Sequence, residues 1–173
     1  MYELKDDEKI TPVMLYTEDA LYHGRLITRK MVRVNIFLRT EGAPTYLHLR
    51  EAQIINPGNT IRTKKFDEIF VPTKSIIGFH TAPEVEIELD YEVQEKNRRM
   101  MPVTAILSSF SIYSSIRIST QTVLSSALDI IRMEWFSLYD AKITNPYLPQ
   151  MNVQVPMLIV RPEKVSLGLM EAA

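Results

Sequence analysis

Three histidines, several groups of carboxylates and two groups of basic side chains are the residues whose types suit chemistry. His23, His48 and His80 all lie in the first half of the chain, and none stands in the HxH or HExxH spacing that brings two imidazoles to one metal. They read as surface or interface histidines. Carboxylates gather at Asp6-Asp7-Glu8, at Glu18-Asp19 and at Glu86, Glu88, Asp90 and Glu92. Acid–base catalysis needs a pocket that drives two such pKa values apart. Strand alternation instead sets Glu86 to Glu92 in a solvated row along one face, which would discourage edge-to-edge aggregation. No calcium loop, no GxSxG elbow, no GxxxxGK[ST] and no GxGxxG occurs. The sequence therefore assigns no catalytic, cofactor-binding or metal-ligating residue, and the expectation is a protein that is not an enzyme and carries no cofactor.

The basic positions are the sharper lead. Arg25, Arg29, Lys30, Arg33 and Arg39 fall in a stretch without an acid, and Arg62, Lys64 and Lys65 form a second group. Brought to one face, they would suit a phosphate backbone, with Tyr22, Phe37, Tyr46 and Phe66 to stack bases. The candidate interaction surface is Arg29, Lys30, Arg33, Arg62, Lys64 and Lys65. A formal charge of −1 over 173 residues exerts no global pull on nucleic acid or anionic membrane. The chain has no cysteine, which excludes disulfides, thiolate metal sites and a cysteine nucleophile. It fits a reducing compartment, and a cytoplasmic location is expected. No apolar run approaches the ~18 residues that span a bilayer, so no membrane role is expected.

The elements that would position these residues are mostly strands, and they come twice. Tyr46-Leu47-His48-Leu49-Arg50-Glu51-Ala52-Gln53-Ile54-Ile55-Asn56-Pro57 returns as Trp135-Phe136-Ser137-Leu138-Tyr139-Asp140-Ala141-Lys142-Ile143-Thr144-Asn145-Pro146. Ile69 to Phe79 returns as Ile159 to Leu169, sharing Pro72/Pro162, Lys74/Lys164 and Gly78/Gly168, and Pro12-Val13 returns as Pro102-Val103. Three matches in one order, about 90 residues apart, point to a module duplicated in tandem. Residues 1–10 read as a polar tail, 11–82 as the first repeat, 83–101 as a linker and 102–170 as the second repeat.

Period-two patterning marks strands at Val32 to Leu38, at Tyr46 to Arg50 and, most clearly, at Val85 to Val93 inside the linker. Ile112, Ile116 and Ile118 among serines, and the run Met157-Leu158-Ile159-Val160, add further strands. Ser126 to Met133 reads as one short helix with a capping-box spacing at Ser126 and Asp129, without a counterpart in the first repeat. The recurrent Glu51 and Asp140 are placed to pair with the recurrent Lys74 and Lys164 across two strands. The serine-rich stretch Ser108 to Ser126 suits packing against a partner.

With these motifs the chain resembles a tandemly duplicated member of a small, β-rich bacterial domain family of unknown function. That likeness covers most of the chain and implies no site residues. A fainter similarity is to Sm-like small barrels, through length and all-β character, although the chain has only five glycines where such strands bend on glycine. The fold expected is all-β, two tandem small barrel or roll units related by internal duplication, with at most short helical turns. The function expected is a self-associating binding or assembly module with a protein partner or a homo-oligomeric state. The alternative is a nucleic-acid-binding protein using the basic face of the first repeat.

Overall fold

The computed structural model describes residues 2–170. The chain is all-β and divides into two compact units, Met1–Glu86 and Ile87–Ala173.

The first unit holds β1 (Glu8–Tyr16), β2 (Leu21–Arg29), β3 (Tyr46–Asn56), β4 (Arg62–Pro72) and β5 (Gly78–Thr81). They pair antiparallel in the order β5-β1-β2-β3-β4. Each of β1 to β4 meets its neighbour in sequence, while β5 returns to the far side of β1, Phe79 opposite Leu15. The second unit holds β6 (Arg98–Leu107), β7 (Phe110–Ser119), β8 (Phe136–Asn145), β9 (Leu148–Val160) and β10 (Val165–Gly168). Their order is β10-β6-β7-β8-β9, again antiparallel. The order is open in both units, with no closing pair between the fourth and fifth strands among the described residues.

Alternation fills the cores. Leu47 and Leu49 of β3 are fully buried while Tyr46, His48 and Arg50 face outward. On β7, Ile112, Ser114, Ile116 and Ile118 point inward. Asn56-Pro57-Gly58 and Asn145-Pro146 turn the chain into β4 and β9, because proline has no N–H to continue a ladder. Pro72 closes β4 and Pro162 opens a single 3₁₀ turn, so both end strands and neither sits in a bulge.

The bulges lie elsewhere. On β3, Glu51 and Ala52 together oppose Gly24, between the pairs Arg25–Arg50 and His23–Gln53. On β8, Asp140 and Ala141 oppose Ser114, between Ser115–Tyr139 and Tyr113–Lys142. Glu51 and Asp140 take left-handed φ values of 48° and 49°, the conformation that adds one residue to a strand and re-aims the side chains beyond it. At the first bulge the small Ala52 is accounted for by crowding. A Cβ on Gly24 would lie 3.2 Å from the Ala52 Cβ and 3.3 Å from its Cα.

Several expectations need correction. Val32 to Leu38 is not a strand. Val34–Arg39 is a 3₁₀ turn, because Val34/Phe37 and Asn35/Leu38 bury at i, i+3, the spacing that such a turn aligns. The second unit carries its helix α1 at Leu124–Asp129, 90 residues on, so a helical turn does occur in both units. The expected cap is unused, since Ser126 sits inside α1 and Val123 precedes it without a side-chain cap. Val85 to Val93 is not a strand either. Val85, Ile87, Leu89 and Tyr91 alternate as half-buried residues, but no ladder forms along them. Arg98 to Met101, the end of the expected linker, opens β6. The first ten residues are no solvated tail throughout. Tyr2 is half-buried, and β1 starts at Glu8.

Candidate interaction surface

The register decides which basic residues meet. Arg29 lies opposite Glu8 at the end of β2, and Lys30 follows it, its backbone N–H donating to the Asp7 carbonyl. Arg33 immediately precedes the 3₁₀ turn. Arg62, Lys64 and Lys65 occupy the other end of the sheet. Lys65 pairs with Gln53, which pairs with His23, six residues up β2 from Arg29. At ~3.3 Å per residue this separates the two groups by about 20 Å along the strand. Arg62 to Asp67 are exposed throughout, and alternation points Lys64 and Lys65 to opposite faces of the hairpin. The six residues thus form two separate groups rather than one face. Their proposed stacking partners disperse as well: Phe37 is buried, Tyr46 faces outward, and Phe66 lies opposite the inward Ala52.

The expected Glu51–Lys74 pair does not form. Glu51 binds Arg25 at 3.2 Å, because Lys74 lies beyond Pro72, which is level with Tyr46, five residues from the bulge. Both partners are largely exposed, so the contact is worth about 0–1 kcal/mol at most.

Of the histidines, His23 is exposed, and the other two have specific partners. His80 is 1% exposed on β5 and is therefore not a surface residue. Its Nδ1–H donates to the Thr81 carbonyl at 2.7 Å, so its bare Nε2 accepts the Tyr16 hydroxyl at 2.8 Å. Burial pushes the imidazole pKa down to about 4, with a smaller downward push from His23 and an opposing one from the Thr81 carbonyl. Burial also raises the Tyr16 phenol far above its ordinary range.

His48 belongs to an outward cluster. It stacks on Phe70 with ring centroids 4.4 Å apart and meets the edge of Tyr2 at 5.0 Å. Its Nε2 lies 3.0 Å from the Glu68 carboxylate, which also accepts the backbone N–H of Tyr2. The Tyr2 hydroxyl donates to both oxygens of Glu8 at 2.9 Å. The Tyr2 N–H, foremost, holds the Glu68 carboxyl below its usual range, and the Lys5 N–H does the same for Glu8. The Glu8 carboxylate raises the Tyr2 phenol in turn.

The second unit has a matching arrangement. Tyr91 meets Tyr139 edge-on at 5.0 Å and lies beneath the Arg117 guanidinium at 4.3 Å. Asp90 accepts the hydroxyls of Ser137 at 2.7 Å and Tyr139 at 2.6 Å. This anchoring explains why the acidic stretch forms no strand, since Asp90 and Tyr91 are held by the outer face of β8. Sequence reading missed these two tyrosines, although Tyr2-Glu3-Leu4 is echoed by Tyr91-Glu92-Val93.

Sheet edges complete the surface. Within its own unit β4 has a hydrogen-bonded neighbour on one side only, and so has β10. Beside β10 an apolar groove of about 380 Å³ is lined by Leu128, Ile131, Phe136, Pro162, Val165 and Leu167, with Glu163 at its rim. In the first unit the equivalent 3₁₀ turn packs on β5. Among the described residues no group of three or more His, Asp or Glu is arranged to hold a metal ion. No helix there is long and apolar enough to cross a membrane. The chain matches no protein-family model, no curated protein and no solved structure.

Proposed function

We propose that this chain is a non-enzymatic assembly module that associates with copies of itself, built as two tandem copies of one small β-roll. The observation that carries it is the pair of open edges. β10, Val165-Ser166-Leu167-Gly168, has neither charge nor proline, so of the devices that keep an exposed edge from pairing it has only its shortness. Along β4, Ile69-Phe70-Val71 precedes the closing Pro72, and Phe70 is 58% exposed. Duplication is supported by the shared strand order, the bulge at Glu51 and Asp140, the helical turn at Val34 and Leu124, and the paired tyrosine latches.

Light scattering on nucleic-acid-free protein tests this reading. The mass is expected to rise with concentration to a multiple of 20.0 kDa. A single-chain mass at every concentration would overturn it. The separation of the basic groups speaks against a nucleic-acid face made of all six residues. A salt titration of oligonucleotide binding is expected to show no common contribution from the Arg29 and Lys65 groups.

A further inference from the structure

The repeat and the ladder disagree about the fifth strand of the second unit. In sequence Gly168-Leu169 recurs for Gly78-Phe79, and each glycine stands six residues beyond its proline, Pro162 or Pro72. The first strands of the two units keep the repeat in register. Val13 lies opposite Gly24 and Val103 opposite Ser114, the two residues that face the bulges. Three places further along, Tyr16 therefore corresponds to Ile106. Gly78 lies opposite Tyr16, yet the residue opposite Ile106 is Ser166, and Gly168 lies two places on, opposite Thr104. Each residue of β10 is thus two places away from the register that β5 takes within its own unit.

We infer that β10 has two registers on β6: the one described, and a second in which Gly168 lies opposite Ile106 and Leu169 opposite Ala105. A one-residue slip would turn every side chain to the other face, but a slip of two keeps each on its own. On the inner face Leu167 and Leu169 take the places of Val165 and Leu167, apolar for apolar. On the outer face Gly168 and Met170 take those of Ser166 and Gly168. The incoming residues stand just beyond the strand, Leu169 56% and Met170 78% exposed. β10 has four residues, one of them glycine and none charged, so little in it pins one pairing. The connection from β9 has room for the slip. Its four residues, 161–164, become six, and the first unit joins β4 to β5 through five. Val165 and Leu167 line the apolar groove beside α1. The slip withdraws Val165 from that wall and brings Leu169 to it, so the groove takes two forms within one fold. None of this depends on self-association.

Paired cysteines read the register directly, since the chain has none of its own. Ile106→Cys with Ser166→Cys bridges the described register, and Ile106→Cys with Gly168→Cys bridges the second. A slip of two residues sets the wrong pair about 8 Å apart, beyond the reach of a disulfide. Under mild oxidation of the folded protein both pairs are expected to close. Ile106→Cys with Leu167→Cys, on opposite faces, is expected to stay reduced. If the Gly168 pair stays reduced, or the Leu167 pair closes as fast, there is no second register. A second measurement leaves the strand unmodified. NMR exchange experiments spanning microseconds to seconds are expected to show two states at the amides of Thr104 to Leu107 and Val165 to Leu169. Leu169→Ser puts a hydroxyl at the inner place opposite Ala105, and is expected to leave one state with the fold intact. A single state in wild type, or exchange that survives Leu169→Ser, overturns the inference.

Discussion

Acid should loosen the first unit through His80. The neutral imidazole is enclosed between the Tyr16 hydroxyl and the Thr81 carbonyl, and burial holds its pKa at about 4 against an ordinary 6.5. A tenfold change in a protonation ratio is worth about 1.4 kcal/mol, so this depression corresponds to about 3 kcal/mol. The unfolded chain binds the proton near pH 6.5 and the folded chain only near pH 4. Between these values the unfolded state holds more protons, and stability falls as pH falls. The contribution is complete above about pH 6.5 and gone below about pH 4. His80→Gln keeps an acceptor for Tyr16 and removes the titration. Urea unfolding followed by circular dichroism at pH 7, 5.5 and 4 should show wild type losing about 3 kcal/mol more than His80→Gln across that range. Parallel losses in the two proteins would refute the reasoning, because other groups would then account for all the acid sensitivity.

The bulges and latches give four further expectations. Gly24→Ala should cost about 1–2 kcal/mol by urea unfolding, because the new methyl meets the Ala52 backbone; Ser114→Ala should be neutral or stabilising, because its buried hydroxyl has no partner among the described residues. Asp140→Val should lower stability by about 1–3 kcal/mol, since a β-branched residue resists a positive φ, while Asp140→Gly should not. Asp90→Ala should cost about 1–3 kcal/mol by leaving the Ser137 and Tyr139 hydroxyls without this acceptor, and limited proteolysis should then cut within residues 83–97 faster than in wild type.

Strand positions were legible where alternation met a partner strand. Leu49 shows the pattern and pairs on both sides, with Leu26 and Ile69, and so does Ile112, with Ala105 and Ile143. Val85 to Tyr91 shows the same pattern without a ladder, because alternation reports which side chains face inward and says nothing about pairing. Val32 to Leu38 misled for a related reason. Its apolar residues fit period two, but Asn35 and Phe37 are the ones buried with Val34 and Leu38. The basic surface was not legible because composition places Arg29 and Lys65 together only if their strands bring the same ends level. The register brings opposite ends. The open edges β4 and β10 share no residue signature, since β4 is rich in charge and β10 has none, and they follow only from the strand order.

The strand order has a kinetic consequence. The pairs β1–β2, β3–β4, β6–β7 and β8–β9 are joined by two to five residues and can zip as local hairpins, while β2–β3 and β7–β8 are each joined by 16 residues. The pairing of Val13 with Thr81 joins residues 68 apart in sequence. Loop closure over that distance is entropically late. The Tyr16–His80 hydrogen bond forms only with this last step, so it serves as a clock for completion. Substitution at His80 should leave the folding rate nearly unchanged and speed unfolding, the signature of a contact absent from the transition state.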